Sequence, residues 1–157
     1  MIELKLHKQE TDYSCGPASL KMVLEHFGVE KSEEELIKLT GAKAGLGCTP
    51  NDLVRAAREL GFDAEYIPTS SLEEVEKLMN EGVMVIVDWF SPEVNGHYSV
   101  VVKLTDKEIT LANPTHGNNT VMTRNEFLNR WFELDEYPPK DVCKFFLREV
   151  ICIRKQD

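Results

Sequence analysis

Gly96-His97-Tyr98-Ser99-Val100-Val101-Val102-Lys103-Leu104-Thr105, then Asp106-Lys107, then Glu108-Ile109-Thr110-Leu111-Ala112-Asn113-Pro114 decides the reading of this chain. The valine-rich run His97–Thr105 suits a buried strand, and Glu108–Ala112 is a second strand after a two-residue turn. Strands so closely joined form an antiparallel hairpin. The start of one strand then lies opposite the end of the other, which brings His97 and Asn113 to one edge of one sheet.

Working outward, Val83–Trp89 is another dense apolar run of strand length, and Lys144–Arg154 supplies a last strand. Thr123-Arg-Asn-Glu126 has capping-box spacing and is expected to open a helix over Phe127–Phe132. The N-terminal half has helical periodicity instead. Leu20, Val23, Leu24 and Phe27 share a face, with Gly28 as the stop. Ser32-Glu-Glu-Glu35 opens a second helix that ends near Gly41. Thr49-Pro50-Asn-Asp52 opens a third, with Gly61 after its end, and Ser71 a fourth that runs to Asn80. Helices first and strands afterwards predict an α+β fold, the helical half packed on an antiparallel sheet.

At 157 residues, without repeats or Pro/Gly-rich linkers, the chain reads as a single domain, 1–157. Its net charge of -9 and lack of a basic patch argue against nucleic acid and anionic lipid as partners. No secretion signal opens the chain, and the longest apolar run is too short to span a bilayer. A cytoplasmic protein with no membrane insertion is the expectation. Cysteines 15, 48, 143 and 152 form no CxxC pair, and histidines 7, 26, 97 and 116 are dispersed, so no metal or other cofactor is expected.

The chemistry centres on Gln9 and Ser14-Cys15-Gly16-Pro17-Ala18. Cys15 precedes a helix with Pro17 in its first turn. Its sulfur therefore lies near a helix N-terminus, where free N–H groups favour a thiolate and lower the thiol pKa. Gly16 is expected to let a substrate backbone approach the sulfur. A thiolate nucleophile needs a base and the base an orienter. His97 fits the first role and Asn113 the second, its amide oxygen accepting from the imidazole. The Gln9 amide and the Cys15 backbone N–H can together form an oxyanion hole. Cys48 and His116 are secondary candidates for the cleft. Asp88 and Asp106 are alternative orienters, Asp106 reading better as the turn residue. Cys143, Cys152, Trp89, Trp131 and Phe132 read as core, with Trp89-Phe90 able to wall a groove.

Gln9 with Asp12-Tyr-Ser-Cys-Gly-Pro-Ala-Ser-Leu20, Gly96-His97-Tyr98-Ser99-Val100-Val101 and Leu111-Ala-Asn-Pro114 resembles the bacteriocin-processing, double-glycine leader peptidases. Gly47 to Gly61 is similar to the family's segment between its first helices. The resemblance implies a papain-like cysteine peptidase fold, with Cys15 as nucleophile, His97 as base and acid, Asn113 as orienter and Gln9 as oxyanion donor. It implies a peptide substrate and a separate peptide-exporting transporter, since the chain ends at Asp157 without a membrane segment. The family usually has Asp before the Pro where Asn113 stands. Two further readings stay open: a silent peptide-binding module of the same fold, and an acyltransferase or amidase acting on a non-peptide substrate.

Overall fold

A computed structural model of the chain describes residues 1–136, 139–140 and 143–156. The order is α1 (Cys15–His26), α2 (Glu33–Thr40), α3 (Pro50–Glu59), β1 (Phe62–Ile67), α4 (Leu72–Asn80), β2 (Met84–Ser91), β3 (Asn95–Leu104), β4 (Glu108–Asn113), β5 (Asn118–Thr123), α5 (Arg124–Leu128), β6 (Phe132–Leu134), β7 (Phe145–Leu147) and β8 (Val150–Lys155). Ser32, Thr49 and Thr123 cap their helices as the sequence predicts, each in a reciprocal capping box. No helix among the described residues is long and apolar enough to cross a membrane.

Six strands form one antiparallel sheet in the order β1-β8-β2-β3-β4-β5, and β6 pairs with β7 in a separate ribbon. Both faces of the large sheet are covered, which is why β2 is apolar without alternation. On one face Met84, Ile86, Val100, Val102 and Ile151 pack with Leu20, Val23, Leu24, Leu36 and Leu53 from α1–α3. On the other, Val85, Val87, Trp89, Val101 and Leu111 pack with α4, Phe127 and Trp131. Each such aliphatic side chain, buried on folding, contributes roughly 1.5–3 kcal/mol.

Four expectations need correction. The helix opened by Thr123 ends at Leu128, not Phe132. The Arg130 carbonyl accepts from Phe90 and Phe132 instead, and Phe132 joins β6. The final strand is two strands. Arg148 has φ 55, a left-handed break at which the chain leaves the β6–β7 ribbon for the main sheet. β1 interrupts the helical half, its buried Phe62 and Ala64 alternating with exposed Asp63 and Glu65, and β5 extends the hairpin. Cys143 is half-buried and outside both clusters, whereas Cys152 is core. Likewise Phe132 is only half-buried, and stacks between Phe90 and Phe145 at 5.0 and 5.3 Å.

One irregularity positions the site. Val101 pairs with Leu111 but Lys103 with Thr110, so Val102 is an extra residue in β3. Its carbonyl accepts from Ile2 N–H at 2.8 Å. A one-residue bulge reverses the facing of everything beyond it. With the bulge, Ser99 and not Val100 aligns with Asn113, and His97 falls on the same face as Asn113.

Candidate active site

His97 and Asn113 meet. Nε2 of His97 lies 2.8 Å from Asn113 Oδ1 and 3.0 Å from Thr115 Oγ1. The Asn113 amide is held from two other directions. The Thr115 N–H donates to Oδ1 at 3.0 Å, and Nδ2 donates to Thr120 Oγ1 at 3.0 Å. Since Oδ1 only accepts, this network assigns the proton to Nε2 and leaves the lone pair of a neutral ring on Nδ1. The ring is buried against Trp89, centroids 5.8 Å apart, and the Trp89 indole N–H is fixed by Ser99 Oγ at 3.0 Å. Burial lowers the imidazole pKa to about 4, against the hydrogen bond to Asn113, which raises it. Of the three candidate orienters, Asn113 is the one hydrogen-bonded to the ring among the described residues. Asp88 points to the opposite face, and Asp106 is exposed in the turn.

Cys15 is the first residue of α1 and half-buried. The N–H groups of Gly16 and of Tyr98, the residue after His97, lie beside its sulfur and favour its thiolate. The thiol therefore lies beside β3 at the residue that follows His97, close to where β3–β4 pairing ends at Val100↔Ala112. Among the hydrogen bonds of the described residues, none joins Cys15 Sγ to the ring. The expected low thiol pKa is overturned. Burial pushes the Cys15 thiol up to about 12, aided by the charges of Asp88 and Glu133 and only partly opposed by the two N–H groups. Desolvation outweighs the helix terminus.

Gln9 is tied to both halves of the site. Its N–H donates to the Pro114 carbonyl at 2.8 Å and its Nε2 to the Thr11 carbonyl at 2.7 Å. One amide proton is thus engaged, and buried Oε1 has no partner among the described residues. Cys48 lies closer than its isolated place in the sequence suggested. Its Sγ faces Gly16, next to Cys15; burial raises its thiol, and a thiolate on Cys15 would add to the rise.

The role expected for Gly16 also changes. A Cβ there would stand 2.6 Å from Cys48 Sγ, 3.2 Å from the Tyr98 ring and 3.4 Å from Leu53, so the missing side chain makes room for the protein and not for a substrate. Gly16→Ala is expected to destabilise the fold by about 1–3 kcal/mol through overpacking. Chemical denaturation reads this directly, and an unchanged midpoint would mean that Cys48 moves aside freely.

Sequence reasoning missed an acidic cluster beside the thiol. Asp88 and Glu149 are buried, Tyr66 O–H donates to Glu149, and the Glu133 carboxylate lies where a Gly96 side chain would stand. Burial first, then Glu133 and Glu149, hold Asp88 well above the carboxylate range. The sequence separation of these residues hid the cluster. His116 is exposed and paired with Glu93 at 2.7 Å. A pocket of ≈ 190 Å³ opens beside Asn113, lined by Trp89, Ser91, Glu93, Met122 and Arg130 among others.

A cysteine at a helix start, with a histidine and an asparagine held at the end of an antiparallel hairpin, on helices packed against that sheet, defines the papain-like cysteine peptidase fold. The chain belongs to the Peptidase C39 family, whose model matches residues 3–134. An uncharacterised protein of Methanothermobacter marburgensis is 32% identical over 125 residues, 80% of each chain. The lactococcin-G-processing and transport ATP-binding protein LagD of Lactococcus lactis is 29% identical over 127 residues, 81% of this chain but 18% of that protein. Among solved structures, the peptidase domain of Streptococcus ComA, a bifunctional ABC transporter, superposes with TM-score 0.72 at 21% identity, covering 98% of this chain and 100% of that one. A double-glycine motif protease from an AMS/PCAT transporter, in complex with its leader peptide, gives 0.73 at 21% identity, covering 98% and 93%. Family and fold together support a cysteine peptidase.

Proposed function

We propose that this protein hydrolyses a peptide bond through a Cys15–His97–Asn113 triad, on a substrate with small residues of the Gly-Gly type before the scissile bond. The observation that carries this is the His97–Asn113 pair. It occupies Nε2 and leaves the basic lone pair on Nδ1, and the N–H of the residue after His97 lies beside the Cys15 sulfur. Gly-Gly specificity rests on the relatives alone, as do a separate peptide-exporting transporter and a cytoplasmic location. A single domain, 1–157, is part of the same proposal.

Cys15 Sγ attacks the carbonyl carbon while His97 Nδ1 takes the thiol proton. Because burial disfavours both ions, the resting pair is a neutral thiol and a neutral imidazole, and the proton moves as the bond forms. Nucleophile–base hydrogen bonds are commonly looser before substrate arrives. The oxyanion is held by the Cys15 N–H and by the second amide proton of Gln9. Asn113 steadies the imidazolium, which then gives the proton to the leaving amine nitrogen. Water, deprotonated by His97, opens the thioester and frees the acid.

Incubation with a synthetic leader-type peptide carrying Gly-Gly, read by product mass, tests the reaction. Cleavage after the second glycine is expected. The base works only when neutral, so kcat/KM is expected to fall as pH drops through about 4 and to hold steady above pH 5. An acid limb near the ordinary histidine value, roughly 6.5, would contradict the buried base.

A second reading has its own observation. The raised Cys15 thiol, which disfavours the nucleophilic thiolate, supports a peptide-binding module. It predicts binding of the same peptide without turnover, with affinity unchanged in Cys15→Ala.

A further inference from the structure

Glu33, the first residue of α2, is 1% exposed, and no part of the proposed reaction uses it. It faces the 10–14 loop between Gln9 and Cys15. Its Oε1 accepts from the Glu10 N–H at 2.8 Å and from the Ser14 hydroxyl. Ser14 is fully buried and in turn accepts from Thr11 N–H at 3.1 Å and Thr11 Oγ1 at 2.7 Å. The Thr11 carbonyl is the acceptor for the Gln9 side chain. A continuous chain of hydrogen bonds therefore runs from Glu33 through Ser14 and Thr11 to the Gln9 amide.

Ser14 is also the N-cap of α1, where a serine oxygen ordinarily accepts from the first turn. Here it makes no such bond. Glu33 holds the hydroxyl as a donor directed away from the helix. Pro17 has no N–H, and the Ala18 N–H goes to the Ser14 carbonyl at 2.9 Å. With the Ser14 side chain turned away, the Gly16 N–H is left for the Cys15 sulfur and the Cys15 N–H for an incoming oxyanion.

We infer that Glu33 is a positioning residue for the oxyanion site: by fixing Ser14 and the 10–14 loop it sets Gln9 and the α1 N-terminus in register. This rests on the reaction proposed above. Loss of the clamp is expected to act on the transition state more than on substrate binding, since displacements of about 1 Å cost up to 10²-fold in rate.

The test compares Glu33→Ala, Glu33→Gln and Gln9→Ala, singly and as the Glu33→Ala/Gln9→Ala pair. Cleavage of a Gly-Gly peptide and iodoacetamide alkylation of Cys15 are read in parallel. Glu33→Ala is expected to lower kcat about 10–100-fold with KM changed less than about threefold. Glu33→Gln, whose amide oxygen still accepts, is expected to recover most of that loss. The pair is expected to lose clearly less than the product of the two single losses, because part of the Glu33 effect runs through the Gln9 donor. Alkylation of Cys15 is expected to be several-fold faster in Glu33→Ala, as the start of α1 that carries the thiol loosens.

Additive losses in the pair would overturn the assignment. So would a loss that disappears well below the variant's Tm, which would make Glu33 a stability residue only. If the wild type cleaves nothing, the proposed reaction fails. The alkylation rates then decide the clamp alone: faster in Glu33→Ala supports it, unchanged overturns it.

Discussion

Cys15→Ala will reduce peptide hydrolysis by at least about 10³-fold, or about 4 kcal/mol of transition-state stabilisation. The thiol supplies the only proposed path to a covalent intermediate. What remains is whatever the N–H groups at the α1 start and the Gln9 amide contribute to uncatalysed attack by water. The substitution trims one sulfur from a half-buried helix start, so folding is expected to persist. Peptide affinity is expected to remain within a few-fold of wild type, because the sulfur is the attacking atom and not a large contact surface. Steady-state kinetics beside direct binding on the same variant separates the two effects. Undiminished hydrolysis would remove Cys15 from the mechanism.

His97→Ala is expected to cost about 10²–10⁴-fold at neutral pH, the usual range for loss of a positioned general base. It differs from the cysteine variant in how the loss depends on pH. With the thiol held near 12 by burial, hydroxide has to replace the imidazole as proton acceptor. Activity of His97→Ala should therefore rise with pH toward 10, whereas Cys15→Ala stays flat. Part of the effect comes from the neighbours, since Asn113 Oδ1 and Thr115 Oγ1 lose the imidazole they share. Circular dichroism is expected to show the hairpin intact, held by the β3–β4 ladder and the Val101–Leu111 packing. Identical pH profiles for the two variants would mean that His97 is not the proton acceptor.

Much of this was legible in the sequence because the signals are local. Capping boxes at Ser32, Thr49 and Thr123, the valine-rich β3 run and the turn at Asp106-Lys107 each depend on neighbours a few residues apart. The meeting of His97 with Asn113 was read from the hairpin, but for an incomplete reason. A regular hairpin would have put them on opposite faces, and only the extra residue at Val102 brings them together. Nothing in Val100-Val101-Val102 marks which valine is the bulge; its carbonyl is taken by Ile2, a hundred residues away.

The thiol pKa failed for a similar reason. A helix start is visible in Ser14–Pro17, whereas the burial and the carboxylates at Asp88 and Glu133 come from distant strands. The same holds for Glu33, which looks like one of three solvated helix-start acids in Glu33-Glu-Glu35. Its neighbours Glu34 and Glu35 are exposed as that pattern suggests, and only tertiary packing buries the first of the three against Ser14.

The central claim is that Cys15 forms a thioester with the help of His97. Rapid quenching of the protein with an activated acyl-glycine ester, followed by intact and peptide mass measurement, tests it most directly. The account predicts a transient acyl adduct on Cys15 alone, discharged by water in the wild type and formed at least tenfold more slowly in His97→Ala. Label spread over Cys48 and Cys143, or an adduct on Cys15 that forms equally fast without His97, would contradict it.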